Sequence, residues 1–205
     1  MSTIETKTIL HFTQDTLETA EFGLRMVQSG NPALRKTGMR NLIVFGRAVT
    51  NTLQQLRSVV PDFESWYQPW VDRMRADPIM SYFYKLRSEI LKEGKMKTGV
   101  SVHIEHLDMG ALMAVVPKKP PGAKSFFIGD QLGGSGWEVA LPNGETQKFY
   151  VQFPRGVPGV QITVNLHLVD APPEIKDIPV QKLCEHYYSQ LAALCQEAKQ
   201  RFNAS

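Results

Sequence analysis

Cysteine is nearly absent from this 205-residue sequence, which has only Cys184 and Cys195. A secreted disulfide framework is therefore excluded. The two lie eleven residues apart in one helical stretch, about 16 Å along the axis, whereas a disulfide needs Cα atoms within about 7 Å. Unpaired thiols favour a reducing interior, so the cytoplasm is the expected compartment. No Cys-x-x-Cys or Cys/His spacing suggests a metal site. Long apolar runs are missing too, and none approaches the roughly 18 residues of a membrane helix. The polar start from Met1 to Leu10, with Glu5, does not read as a secretory leader. Charge of one sign is not dominant: the net value of +3 is too small to mark a nucleic-acid binder. Repeats and low-complexity tracts are lacking as well. What is present is 42% apolar and 21% charged residues, enough for a packed core in a chain of this length.

The pattern changes near Gly99. Before it, apolar residues recur at three and four residues, the helical period; after it, short alternating stretches are separated by Gly, Pro and Asn. The helical period returns near Lys176. A first helix is expected over 14–28, capped by Thr13 or Asp15, with Leu17, Phe22, Leu24 and Val27 apolar. A long second helix is expected over 33–60, with Leu42, Phe45, Val49, Leu53, Leu56 and Val60 as its stripe. The aromatic-rich 63–75 makes a third, kinked or split at Pro69. A fourth starts with Asp77 as N-cap and Pro78 at the first position and ends at Gly94. Strands are expected over 100–107, 111–116, 125–128, 137–141, 147–153 and 160–169, with Asn143-Gly144 as a hairpin turn. The last helix runs over 178–202. The fold class is α+β: a bundle of four N-terminal helices and one C-terminal helix, with an inserted, mostly antiparallel sheet. The divisions are 1–98, 99–175 and 176–205, within one compact domain.

The modest positive charge belongs to the helical part, with 14 basic and 10 acidic residues before position 99 against nine and ten from there on. Arg35, Lys36, Arg40 and Arg47 cluster in the second helix, and Lys95 and Lys97 follow the fourth. Together they are candidates for holding phosphate or nucleic acid, although solvated helix faces are the favoured explanation. His103, Glu105 and His106 fall on a strand, where only the first two share a face. With His167 as the nearest further ligand they fall short of a closed zinc set, so no metal and no cofactor is expected. Gly133-Gly134-Ser135-Gly136 lacks the Lys-Ser/Thr and the helix of a phosphate loop and reads as a flexible turn.

The stretch Phe83-Tyr84-Lys85-Leu86-Arg87-Ser88-Glu89-Ile90-Leu91-Lys92-Glu93-Gly94 resembles the signature segment of HEPN-like helical domains, over residues 14–98 plus the final helix. That resemblance implies a helical scaffold that pairs into a homodimer. In active members an Arg and a His act together in metal-independent RNA cleavage. Here Arg87 matches the Arg, but Lys92 stands where the His would fall. An ammonium with an ordinary pKa near 10.4 accepts no proton at neutral pH. The expected function is therefore a non-catalytic binding or scaffolding module with no membrane association and a protein or RNA partner. The alternative is an RNase-like enzyme using Arg87, Lys92 and Glu89.

Overall fold

A computed structural model describes residues 2–152 and 156–202. It confirms the α+β class. Helices α1 (Ser2–Gln28), α2 (Pro32–Leu53), α3 (Phe63–Ala76) and α4 (Pro78–Glu93) precede strand β1 (Thr98–Leu107). Helix α5 (Met109–Val115) and strands β2 (Ala123–Phe127), β3 (Ser135–Ala140), β4 (Thr146–Val151) and β5 (Val160–Leu168) follow, and α6 (Val180–Phe202) closes the chain.

Helix α1 begins well before the expected position 14. Thr13 and Asp15 are interior residues, not caps. Thr6 and Thr13 are buried on its inner face, interrupting the apolar stripe. The Thr13 hydroxyl donates to the Ile9 carbonyl at 2.8 Å, so it is buried without an unmet bond. Phe22 is 56% exposed rather than part of the stripe; five residues beyond Leu17 it stands about 140° around the helix. Helix α2 stops at Leu53, and a 3-10 turn over Gln54–Ser58 replaces the expected last turn. Phe45 is also partly exposed, at 38%. Its neighbour Gly46 takes the inward position, where the Tyr187 ring lies directly on the backbone. Helices α1 and α2 meet through Gly23 and Gly38. A Cβ on Gly23 would sit 2.7 Å from the Gly38 carbonyl oxygen, and one on Gly38 would sit 2.7 Å from Met26 Cβ.

Helix α3 runs unbroken through Pro69, which is exposed. Helix α4 starts as its sequence dictates. Asp77 accepts from the Ile79 and Met80 amides at 2.8 and 3.1 Å, Pro78 follows, and Gly94 ends the helix at φ 66°. Helix α6 returns to the first four and packs against α1, α2 and α4. The main core of the bundle includes Met39, Leu42, Ile43, Phe83, Leu183 and Leu191. A second cluster at the far end joins Leu53, Phe63, Trp66, Tyr67, Trp70 and Phe202. There Glu197 Oε1 accepts from both indoles, Trp66 at 2.6 Å and Trp70 at 3.2 Å.

The five strands form two antiparallel sheets, not one. Strands β1 and β5 pair as a two-stranded ribbon, and β2-β3-β4 form a meander. The ribbon register shifts between Ile104 and His106, leaving Glu105 as a bulge. The β3–β4 turn closes at Asn143-Gly144, with Gly144 at φ 86° and its amide donating to the Leu141 carbonyl at 2.9 Å. Phe153, expected to end β4, lies outside the described residues, as do 203–205. Of the stretch 111–116, expected as a strand, residues 111–115 belong to α5 and Val116 is its C-cap. Ala, Leu and Met there favour helix, and Asp108 caps it by accepting from the Ala111 amide at 3.0 Å. Leu112 and Val116, four apart, bury one face against Ala123 and Trp137.

Candidate functional site

An opening in the helical body, with a volume of about 450 Å³, lies among α2, α3, α4 and α6. Arg47, Thr50, Gln54 and Arg57 line it in steps of three or four along α2 and the 3-10 turn, so they form one row. From α3 come Glu64, Tyr67, Gln68, Val71, Met74 and Arg75. From α4 come Met80, Ser81 and Tyr84, and α6 supplies Tyr187 and Leu191 as part of the lining.

Three guanidinium groups thus meet one carboxylate. Glu64 pairs with Arg57. Among the described residues, Arg47 and Arg75 have no carboxylate partner. Arg47 donates to Thr50 Oγ1 at 2.6 Å and lies 5.0 Å from the centre of the Tyr84 ring. That ring is 56% exposed. The Tyr67 hydroxyl is pushed up by burial, against the fields of Arg47 and Arg57. Burial also raises the Tyr187 hydroxyl, against Arg47 and Arg87. Both phenols therefore face the cleft as neutral hydrogen-bonding groups at physiological pH.

The positions expected from the sequence are scattered. Arg87 is half-buried in α4, one step of three beyond Tyr84, and its Nε is buried with no hydrogen-bond partner among the described residues. Lys92 and Glu89 are exposed. Five residues separate Arg87 from Lys92 on one helix, about 140° of rotation, so their side chains diverge. Arg35 donates to the Leu132 and Gly133 carbonyls at 3.3 and 2.9 Å. Arg40 bonds the Gly94 carbonyl at the end of α4. Lys95 pairs with Glu93 and Lys97 with Asp170. Five of the six proposed phosphate ligands, counting Arg47 with its bond to Thr50, are thus engaged by acceptors of the chain itself. Lys36 is exposed, and Arg47 alone lines the cleft. His103 Nε2 lies 3.6 Å from Glu105 Oε1. The His167 ring packs on Gly99. No group of three His, Cys, Asp or Glu that could hold a metal ion occurs among the described residues.

The Gly133–Gly136 segment is a built turn. Asp130 Oδ1 accepts from the Leu132 and Gly134 amides at 2.9 and 3.0 Å, and Oδ2 from Lys148 at 2.9 Å and Tyr150 at 2.6 Å. Burial pushes this carboxyl up, but the bonds from Tyr150, Lys148 and the two amides outweigh it and hold it below the usual range. Through the carbonyls of this turn, Arg35 ties the meander to the start of α2.

Sequence reasoning missed Arg57, Arg75, Tyr84 and Tyr187 as parts of one site. The available signal was the polar row Arg47, Thr50, Gln54 and Arg57, beside the apolar stripe of the expected second helix.

Fold and site together define an α+β protein with a five-helix body, an inserted β part and an arginine-lined cleft. No helix among the described residues is long and apolar enough to cross a membrane. Residues 28–134 match the family model described as bacteriophage lambda protein ea47, just over half of the chain, and the chain belongs to this family. The matched span holds α2, α3 and α4, hence every cleft arginine. No curated protein and no solved structure matches the chain.

Proposed function

We propose that this protein is a non-catalytic binding module that takes an anionic ligand in the α2–α3–α4–α6 cleft. One observation carries the reading: Arg47 and Arg75 line a cleft whose single carboxylate, Glu64, is already paired with Arg57. A guanidinium presents a planar fork of donors that matches an oxyanion. The half-buried position of Arg47 strengthens that attraction relative to open solvent. Catalysis has less support, because Arg87 and Lys92 point apart and burial raises the Tyr67 and Tyr187 hydroxyls instead of bringing them toward neutrality.

The test is calorimetric titration with inorganic phosphate at low salt, supported by thermal unfolding. Saturable binding is expected, weakened in Arg47→Met and in Arg75→Met. At a concentration of about 100 times Kd, stabilisation of about 2.7 kcal/mol accompanies it. Absence of saturable binding to the wild-type chain rejects the reading. A HEPN-like ancestry of the helical body and pairing of two copies belong to the same proposal. Native mass spectrometry showing only monomer at micromolar concentration removes the dimer without touching the cleft.

A further inference from the structure

Resting on the anion-binding reading, we infer that the ligand is a small amphiphilic organic anion: one carboxylate or phosphate head joined to a flat, apolar body. The cleft is far larger than a lone oxyanion needs. Its volume of about 450 Å³ falls within the roughly 300–1,000 Å³ of sites that enclose small organic ligands. Its lining is mixed in the way such a ligand requires. Val71, Met74, Met80 and Leu191 give it apolar surface beside the arginines, and the unbranched methionines adapt to an irregular shape. Tyr84 adds an exposed aromatic ring, polarised by the Arg47 guanidinium at 5.0 Å, against which a flat body can stack. Thr50, Gln54 and Ser81 supply hydrogen-bonding groups among this surface, enough to orient a bound molecule.

The surroundings argue against a long polyanion. A nucleic-acid strand needs a basic track along which successive phosphates are neutralised. Outside the cleft, Arg35, Arg40, Lys95 and Lys97 are held by the chain's own carbonyls and carboxylates. Within the cleft lining, Arg47 and Arg75 are the guanidinium groups with no carboxylate partner among the described residues. Such a site suits one head group with an attached body.

Four probes separate the contributions: phenyl phosphate, benzoate, inorganic phosphate and phenol, each titrated into the full chain, with a ten-nucleotide single-stranded RNA as competitor. Phenyl phosphate or benzoate is expected to bind at least about tenfold more tightly than inorganic phosphate, because ring burial adds to the same head-group contact. Which of the two binds better identifies the head. Phenol alone binds weakly. Tyr84→Ala changes an exposed side chain, so the fold is retained, and it reduces the advantage of the ring while leaving phosphate binding in place. Arg75→Met, also at the surface, weakens all the anions together. Equal affinity for phosphate and both aromatic anions overturns the inference and leaves anion binding standing. No binding of any anion overturns both. RNA that displaces phenyl phosphate more effectively than phosphate does, nucleotide for phosphate, also overturns the small-ligand assignment.

Discussion

Arginine does different work in the two halves of the molecule. In the β part, the polar cluster around Asp130 is matched internally: two backbone amides, Lys148 and Tyr150 all converge on one carboxylate. Arg35 reaches in from α2 to the carbonyls of the same turn. Among the described residues, Leu112, Val116, Ala123 and Trp137 form the buried cluster there, so polar bonds supplement a small core. In the helical body the core is extensive, with Phe63, Phe83, Leu42 and Leu53 fully buried. Packing holds that body without help from its cleft arginines, and Arg47 and Arg75 remain unmatched. Matched charge fixes structure, and unmatched charge in a concave site is available to a ligand.

The sharpest break of this contrast is a pair of truncations. Phe83→Ala removes a fully buried ring that packs 4.9 Å from Tyr187 and should cost about 3–5 kcal/mol in global denaturant unfolding. Trp137→Ala deletes a ring of similar importance from the β cluster. Its expected signature is local: hydrogen-exchange protection falls in β2, β3 and β4 while α2 and α6 keep theirs. Equal loss of protection everywhere would show that the two cores unfold as one.

A smaller effect comes from Asp130→Asn, which removes the charge from its bonds to Lys148 and Tyr150 and should cost about 1–3 kcal/mol. Its pH signature has a definite sign. The folded carboxyl titrates below its unfolded counterpart, whose value is near 3.9. The stabilisation is therefore complete above that value and is lost as pH falls through the lower folded one. The acid limb of the stability curve should be shallower in the Asn variant, measured by unfolding at pH 2–6. Glu64→Gln acts on the other side of the comparison. It frees Arg57 from an exposed ion pair, leaves unfolding nearly unchanged, and should tighten phosphate binding about threefold at low salt, with the gain screened as salt rises. The smallest change is in chemistry alone. Burial pushes the Cys184 and Cys195 thiols up to about 12, so iodoacetamide at pH 8 should label neither until the helical body is unfolded.

Local signals in the sequence led to local structure. Asp77-Pro78 and Gly94 bound α4 because capping needs only adjacent residues, and Asn143-Gly144 makes its hairpin for the same reason. Failures arose where a neighbour in space decided. Thr6 and Thr13 disguised the first half of α1, because their polarity hides a buried face. Residues 111–116 look apolar in either conformation, and the Asp108 cap settled 111–115 as helix. The pairing of β1 with β5 joins segments more than fifty residues apart, beyond any local pattern. The α+β class survived these errors because it depends on where periodicity changes, near Gly99 and again near Lys176. The cleft was legible only in part: Arg47 stood out within a basic cluster, but its companions come from the 3-10 turn, α3, α4 and α6, which meet only in the folded bundle.

The β1–β5 ribbon has a topological consequence. Its strands lie side by side, and the Asp108 amide donates to the Gly159 carbonyl at 2.7 Å just beyond their paired ends. The backbone thus leaves and re-enters the body through one doorway, and everything from α5 to β4 hangs on the far side as a cassette. A length change at the β3–β4 turn is absorbed within that cassette, since both doorposts keep their register. Joining Leu107 to Val160 through a short turn would remove the cassette and leave α2, α3, α4 and α6 with an uninterrupted path around the cleft. Its other tether is Arg35, whose guanidinium would then be free in solvent.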